Sequence, residues 1–339
     1  MKRTKISAIL LALVMALSLA ACGGNNGASS GSASAPGDGT YTRESYSVAA
    51  LKGPTAMGLV KLMDDTDKAG ETGNDYTFTL AASPDEITPK LIQGELDMAC
   101  VPANLASVLY NKTEGQIVTL AVNTLGVLYL VENGNAVQSV RDLTGMTIVA
   151  AGKGSTPEYA LRYLLSENGV DPDRDVTIDW KSEHSECVSA LASGEATVAL
   201  LPQPFVTVAQ SKLADLRVAL DLTAEWDALN NGSSLITGVV VARKEVVEKN
   251  PGAVNAFLKD YAASVDWVNA NAADAAQLIG SYDIVDAAVA EKALPACNIV
   301  CLTGPEMSGK LSGYLTVLFD QNPASVGGAL PKDDFYFGA

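Results

Sequence analysis

Two short glycine-containing loops carry the residue types best suited to holding a small polar ligand. Each loop stands directly before a segment with helical spacing. The two loops are Gly53-Pro54-Thr55 and Gly154-Ser155-Thr156. Backbone N–H groups at a helix start, with the positive end of the helix dipole, can bind an anionic or carbonyl group without a basic side chain. The same residue types also cap helices without touching a ligand, so both interpretations stay open.

A second set of candidate ligand contacts follows other strand-like runs of the chain. Asn104 and Gln203 can each offer a donor and an acceptor, and Phe205 offers a stacking face. The remaining candidates are hydroxyl, amide, proline and aromatic residues in or near the same loops: Ser83, Pro102, Asn123, Thr124 and Tyr159. For Tyr159 a core position is equally consistent with the sequence. We predict that these residues line a ligand cleft, with Asn123 and Thr124 at its hinge.

Catalytic chemistry has little support in this sequence. The chain contains one histidine, His184, for which we predict a solvated loop position; Glu183 and Glu186 beside it would favour its protonated form. Metalloprotease, P-loop and placed nucleophile motifs do not occur. With one histidine to join the cysteines, a zinc site is also not expected. We therefore predict no catalytic residues, no metal and no cofactor, although carboxylate or cysteine chemistry remains an alternative.

Composition narrows the class of protein further. The 339 residues are 48% hydrophobic and carry a net charge of −16, with a pI near 4.4. This apolar content is ample for sizeable cores and excludes disorder throughout the chain. The acidic balance argues against a nucleic-acid-binding protein, because few basic groups could neutralise phosphates.

Short β-branched runs alternate with helical patterns from residue 46 onward. The predicted strands are 47–51, 76–82, 97–101, 118–122, 147–151, 176–180, 198–201 and 238–242. The predicted helices include 55–64, 159–168, 186–192, one that opens at Asn250-Pro251, and 305–319. Such alternation predicts α/β architecture, with mostly parallel sheets flanked by helices.

An internal repeat with an offset near 100 residues divides this α/β region. LIQGELDMACVPANLASVL (91–109) is echoed by LASGEATVALLPQPFVTVA (191–209), and KGPT (52–55) by KGST (153–156). Shared turn chemistry would explain one such match. Two matches in register predict two related lobes that face each other across a cleft, with their ligand loops at the carboxyl ends of the strands.

The N-terminus has the features of a secretory signal peptide. A positive start is followed by a 13-residue apolar stretch (9–21), too short to span a bilayer comfortably. The stretch ends in Leu19-Ala20-Ala21-Cys22, which resembles a bacterial lipobox; an ordinary signal with a chance cysteine is the alternative. We predict a signal peptide over 1–21, acylation at Cys22, and a flexible Gly/Ser-rich tether over 22–40. The mature chain would then carry 20 basic and 39 acidic residues.

Taken together, these features resemble the substrate-binding lipoproteins of ABC importers. The likeness is carried by LIQGELDMACVPANLASVLYN (91–111), by residues 121–124, and by DLTGMTIVAAGKGSTPEYALRYLLSENGVDP (142–172). It is greatest to the branch of nitrate-, sulfonate-, taurine- and thiamine-pyrimidine-binding proteins. In these proteins, loops such as 152–156 supply ligand contacts. The arginines of this chain lie outside the predicted ligand loops, which weakens a nitrate or sulfonate ligand.

The resemblance implies a two-lobe, type II periplasmic-binding-protein-like fold. Lobe 1 would comprise residues 41–124 and 223–339, and lobe 2 residues 125–222. It implies a monomeric, extracytoplasmic, lipid-anchored protein that captures a small polar or weakly anionic molecule and delivers it to a permease and its ATPase. A ligand sensor and an enzyme of the same fold are the alternatives. No nucleic-acid partner is expected.

The cysteines beyond Cys22 allow one structural prediction. Outside the cell, Cys297 and Cys301 could close a small disulfide loop. Cys100 lies in a predicted buried strand, where we expect it to behave as a small apolar residue.

Overall fold

The computed structural model describes residues 41–339. The predicted signal peptide, the lipidation site Cys22 and the tether lie outside the described residues. None of the helices in the described part is both long and apolar enough to cross a membrane.

Eleven strands in residues 41–339 form two mixed sheets. The strands are β1 (Ser45–Leu51), β2 (Asp75–Ala81), β3 (Met98–Pro102), β4 (Ile117–Leu125), β5 (Leu128–Glu132), β6 (Thr147–Ala151), β7 (Thr177–Lys181), β8 (Val198–Pro202), β9 (Arg217–Asp221), β10 (Ile236–Arg243) and β11 (Ile299–Leu302). Lobe 1 is built on a six-stranded sheet of order β11-β4-β10-β3-β1-β2, and lobe 2 on a five-stranded sheet of order β7-β6-β8-β5-β9.

Thirteen α-helices of the described part flank these sheets. They are α1 (Pro54–Met57), α2 (Val60–Asp67), α3 (Pro84–Gln93), α4 (Ala103–Lys112), α5 (Thr156–Glu167), α6 (His184–Ser193), α7 (Phe205–Lys212), α8 (Leu222–Ala228), α9 (Lys244–Lys249), α10 (Pro251–Ala270), α11 (Ala272–Ser281), α12 (Ala287–Ala293) and α13 (Gly304–Gln321). The predicted start of α10 is confirmed, because the Asn250 side chain accepts a hydrogen bond from the Ala253 N–H.

The two sheets share one topology, which confirms the predicted repeat. In each, three parallel strands are followed by an antiparallel strand and then by one more strand: β2-β1-β3-β10-β4 in lobe 1 and β7-β6-β8-β5-β9 in lobe 2. The equivalent strands β3 and β8, and the equivalent helices α3 and α6, lie 100 residues apart. The sequence motif therefore marks equivalent structural positions.

The antiparallel strand of each sheet, β10 in lobe 1 and β5 in lobe 2, is the first strand after the chain crosses over from the other lobe. The chain leaves the first sheet after β4 and enters the second at β5; it leaves β9 and returns to the first sheet at β10. At the two entry points Leu128 of β5 pairs with Pro202, and Gly238 of β10 pairs with Pro102. Both crossovers thus lie at the carboxyl ends of β3 and β8, so these edges face each other.

One apolar cluster connects the two lobes behind this edge. It includes Val101 and Leu109 of lobe 1, Ile148 and Leu161 of lobe 2, and Leu315 of α13, all of them buried. Separate clusters fill the outer face of lobe 1 and the α6–α7 face of lobe 2. The shared cluster places α13 as the packing element between the two sheets.

The elements differ from the sequence prediction in two places. Strands β5, β9 and β11 were not predicted. The helix predicted over 55–64 is two helices, α1 and α2, separated at Gly58. A Cβ at Gly58 would lie 2.8 Å from the Tyr261 hydroxyl oxygen, so close packing against α10 favours glycine and a break in the helix at this point.

Candidate functional site

The first candidate loop lies between β1 and α1. Gly53 caps α1 with φ of 132°, a conformation that favours glycine, and a Cβ there would meet open space. The Thr55 hydroxyl donates to the Leu51 carbonyl oxygen at 3.0 Å, and Thr55 is buried. The backbone of this loop is therefore free to approach a ligand, whereas its hydroxyl stabilises the end of β1.

The equivalent loop of lobe 2 already holds a carboxylate. The Gly154 N–H donates to Glu158 Oε2 at 2.7 Å, and Arg162 Nε donates to Glu158 Oε1 at 3.0 Å. Glu158 is 9% exposed. The Glu158 carboxylate thus accepts the hydrogen bond from the Gly154 N–H. The sequence had suggested that this N–H group could bind an anionic or carbonyl group of a ligand.

The two hydroxyls of this loop also have partners within the protein. Ser155 Oγ donates to the Gly152 carbonyl oxygen at 2.7 Å. Thr156 Oγ1 accepts a hydrogen bond of 3.2 Å from the hydroxyl of Tyr314 on α13. Both groups therefore serve first to shape the loop and to fasten α5 to α13.

Helices α3 and α6 begin with the same device as α5. The N–H groups of Ala82 and Ser83 donate to Glu86 Oε1 at 3.1 and 3.0 Å, and the Ser182 N–H donates to Glu186 Oε2 at 3.0 Å. Ser83 Oγ in turn accepts from the Asp85 N–H. For Ser83 the capping function holds, and the first turn of each helix carries its own negative charge.

Asn123 and Thr124 lie together with Thr55 behind the first loop. Both are fully buried. Asn123 Nδ2 donates to the Thr55 carbonyl oxygen at 3.3 Å, and Thr124 Oγ1 donates to Asn123 Oδ1 at 3.1 Å. A Cβ at Gly238 would lie 2.5 Å from Asn123 Oδ1. The structure thus brings these candidates together as support for the loop.

Asn104 points away from that group. Its Nδ2 donates to the Ser325 carbonyl oxygen at 3.2 Å, and Ser107 one turn later donates to the Val326 carbonyl oxygen. Asn104 Oδ1 is buried and has no hydrogen-bond partner among residues 41–339. This face of α4 holds the C-terminal segment, while Pro102 precedes the helix as its half-buried N-cap residue.

In lobe 2, Gln203 ties the end of β8 to the first crossover. Its N–H donates to the Val127 carbonyl oxygen at 3.0 Å, and its Oε1 accepts from Thr207 Oγ1 at 3.0 Å. Phe205 is partly exposed at the start of α7. Tyr159 is half-buried against the shared cluster, and burial raises the pKa of its phenol.

Three residues at this edge were missed or misplaced by the sequence analysis. His184 is not solvated as predicted: its Nδ1 is buried, and burial lowers its pKa to about 4. The ring lies 5.2 Å from the Phe205 ring, centroid to centroid. The hydroxyls of Thr223 and Thr237, beside the second crossover, are buried without a partner among residues 41–339. No sequence motif marks these two threonines.

Every arginine side chain in residues 41–339 is already engaged within the protein, and Arg162 is engaged at the α5 loop itself. Five form ion pairs with carboxylates, and Arg141 donates to the Asn168 carbonyl oxygen. The five ion pairs are Arg43–Asp75, Arg162–Glu158, Arg174–Asp171, Arg217–Glu132 and Arg243–Asp97. A surface pocket of about 280 Å³ next to Arg243 lies at the amino ends of β3 and β4, opposite the candidate loops.

The disulfide predicted between Cys297 and Cys301 is not formed in the structure. Both side chains are free thiols, as are Cys100 and Cys187. Cys301 lies on β11, whose pairing with β4 holds it in the sheet, whereas Cys297 is buried in the apolar cluster on the outer face of lobe 1. Burial raises the pKa of each of these two thiols to about 12, which disfavours the reactive thiolate.

Comparison with known proteins agrees with this architecture. A family model described as "ABC transporter, phosphonate, periplasmic substrate-binding protein" matches residues 69–292. A protein of Brucella abortus named as a binding protein is 25% identical over 218 residues, which are 62% of this chain and 65% of that protein. The match therefore spans just under two thirds of that relative's length.

Solved structures confirm the two-lobe fold. An ABC transporter structure from Parabacteroides distasonis has a TM-score of 0.73 at 23% identity and covers 86% of this chain and 98% of its own. The periplasmic aliphatic sulphonate binding protein SsuA from Escherichia coli has a TM-score of 0.67 at 17% identity, covering 87% and 96%. At these identities the likeness is one of fold.

Proposed function

We propose a transport role and a ligand class from the premise that this chain belongs to the family of periplasmic substrate-binding proteins of ABC transporters. The chain captures a small solute between its lobes and delivers it to a membrane permease driven by an ATPase. The solute bridges the two lobes and stabilises the closed form to the extent that it binds that form more tightly. The function is binding without chemical turnover.

The ligand we propose is a small polar molecule that is uncharged at neutral pH. The observation that carries this proposal is the Glu158 carboxylate on the Gly154 N–H. A phosphonate or sulfonate bound at this loop needs hydrogen-bond donors, but it would lie next to the buried Glu158 carboxylate. Two negative charges in contact in a buried site repel each other strongly. Arg162 is already paired with this carboxylate, and the other five arginines of the described part are engaged away from the loop, so none is free to pair with an anionic ligand. A phosphonate is accordingly not the ligand that we propose for this chain.

The cleft we propose lies between the facing carboxyl edges of the two sheets. Its lining comprises loop 53–55 and Pro102 of lobe 1 and residues 152–156 and 203–205 of lobe 2. We propose lobe 1 as residues 41–124 and 223–339 and lobe 2 as 125–222, in support of which the sheets change after β4 and after β9.

For the cellular setting, we propose a monomer outside the cytoplasm, anchored through acylated Cys22. The lipobox-like sequence and the family support this placement. Two or three acyl chains would give a stable anchor, whereas one chain would not.

The test is a binding screen with the chain lacking residues 1–21 and carrying Cys22→Ser. The panel compares uncharged heterocycles (uracil, cytosine, nicotinamide, hypoxanthine) with methylphosphonate, taurine and nitrate. A ligand at a hundredfold excess over its Kd should stabilise the fold by about 2.7 kcal/mol, which is read as a rise in melting temperature. We expect the rise with an uncharged compound, recovered unchanged from the complex. The greatest rise with methylphosphonate or taurine would contradict the ligand class, and a chemically altered compound would favour the enzyme alternative.

A further inference from the structure

His184 and Phe205 form an aromatic pair at the carboxyl edge of the lobe 2 sheet. His184 is the first residue of α6, after β7, and Phe205 is the first residue of α7, after β8. Their ring centroids lie 5.2 Å apart, with 42° between the ring planes. The two residues are 21 positions apart in the chain, so the pairing results from the packing of α6 against α7.

One ring nitrogen of His184, Nδ1, has no partner among residues 41–339. Nδ1 is buried and accepts or donates no hydrogen bond among residues 41–339. A buried polar group without a partner costs free energy, so such groups are rare unless a ligand or water satisfies them. The ring is neutral at pH 7, because burial lowers its pKa to about 4. A neutral imidazole has one nitrogen that donates and one that accepts.

The pair lies in the part of lobe 2 that lobe 1 approaches. Phe205 packs against the apolar cluster of the α6–α7 face, and Ala296, from the C-terminal part of lobe 1, packs against the same cluster. The Tyr129 hydroxyl of β5 donates to the Ala296 carbonyl oxygen at 3.3 Å. Helix α12 of lobe 1 contacts α7 of lobe 2 at the same boundary between the lobes. A solute held here would touch both lobes.

We propose that His184 and Phe205 determine specificity for a planar, uncharged heterocycle. The edge of the heterocycle, through an N–H or a ring nitrogen, hydrogen-bonds to His184 Nδ1, and its face lies against Phe205. This inference rests on the proposed function and adds the two side chains that select the ligand. A charged tetrahedral group has no planar face to lie against Phe205 and cannot donate a hydrogen bond to a ring nitrogen.

The single histidine of the chain makes the inference directly testable by NMR. Protein labelled with ¹⁵N at histidine gives the ring signals of one residue. We would titrate it with uracil, cytosine, nicotinamide and hypoxanthine and follow the ring nitrogens. We expect a saturable shift of the Nδ1 resonance with the compound that also raises the melting temperature.

Variants separate ligand contact from a structural role. His184→Leu should weaken binding of that compound about tenfold, the value of one hydrogen bond of moderate strength. His184→Asn, whose amide can take the place of Nδ1, should recover most of the affinity. Phe205→Leu should weaken binding, whereas the control Ser189→Ala, exposed on the same helix, should leave it unchanged.

Each outcome decides one question. Binding of an uncharged heterocycle with no change in the histidine signal and equal affinity in His184→Leu would overturn this inference and leave the proposed function standing. The absence of binding by every uncharged heterocycle would overturn the ligand class and the inference together. Equal loss in His184→Leu and His184→Asn, with equal loss of melting temperature, would show a structural role and overturn the inference.

Discussion

Replacing Glu158 with alanine tests whether this carboxylate occupies an anion position at the start of α5. The side chain accepts from the Gly154 N–H at 2.7 Å and from Arg162 Nε at 3.0 Å, and it is 9% exposed. Arg162 keeps a second partner, Asp173, on the surface. The substitution therefore leaves one N–H group and one face of a guanidinium without an acceptor.

The expected cost follows from these two contacts. Hydrogen bonds to charged groups contribute about 1.5–3 kcal/mol, and Arg162 is partly screened by solvent, so we expect a total loss of about 2–3 kcal/mol. At roughly 2 cal/mol/K per residue and about 300 residues, this lowers the melting temperature by about 4 °C. Sulfate should then restore part of the loss in Glu158→Ala, because the freed N–H and guanidinium can bind it.

The assay is thermal denaturation of wild type and variants with sulfate or chloride at matched ionic strength. Glu167→Ala is the control, since Glu167 is exposed at the other end of the same helix, and surface changes of this kind usually stay within about 0.5 kcal/mol. If Glu158→Ala had the same melting temperature as Glu167→Ala, the Glu158 carboxylate would not stabilise the loop. If sulfate stabilised wild type and variant equally, the position would not bind anions, and the argument for an uncharged ligand would lose its main support.

Three further predictions concern the hinge, a helix cap and the histidine. Gly126→Ala, in the first crossover between β4 and β5, should cost about 1–3 kcal/mol and weaken ligand binding, because its Cβ would overlap with Thr223 Oγ1; Gly309→Ala, with open space around it, is the control in melting and binding assays. Asn250→Ala should cost about 1 kcal/mol in urea unfolding through loss of the α10 cap. As pH falls from 6.5 towards 4, only the unfolded chain protonates His184, so stability should fall by up to about 1.4 kcal/mol per pH unit. Urea unfolding at several pH values should show a shallower slope in His184→Asn.

The repeat was the most informative part of the sequence for the fold. A Gly-Glu and a proline at the same offset in two segments predicted equivalent positions, and β3 and β8 lie 100 residues apart in equivalent places. Strand β5 was not predicted because only two residues separate it from β4. The sequence from the start of β4 to the end of β5 is mostly apolar, so no polar turn marks the boundary. The crossover is visible only once the partner strands are known.

The chemistry of the loops was less predictable than their place. The residue types of Ser83, Ser155 and Thr55 allow each hydroxyl either to cap a helix or to contact a ligand. Which of the two occurs depends on whether a hydrogen-bond partner within the protein lies within reach. In the structure Ser155 and Thr55 donate to nearby carbonyl oxygens. For His184 the neighbouring glutamates suggested a raised pKa, whereas Phe205, distant in sequence, lies against the ring, and burial lowers the pKa. Such packing cannot be inferred from neighbours along the chain.

The apolar cluster that joins the two sheets limits how this protein can diversify. Since Leu315 of α13 belongs to the same cluster as Val101 of one sheet and Ile148 of the other, neither half has a complete interior of its own. A chimaera that exchanged a whole lobe with a relative would divide that interior and expose apolar surface. Changes confined to the loops at the carboxyl edges leave the interior intact. New selectivity in this lineage should therefore arise through loop replacement, and the two halves should unfold as one cooperative unit.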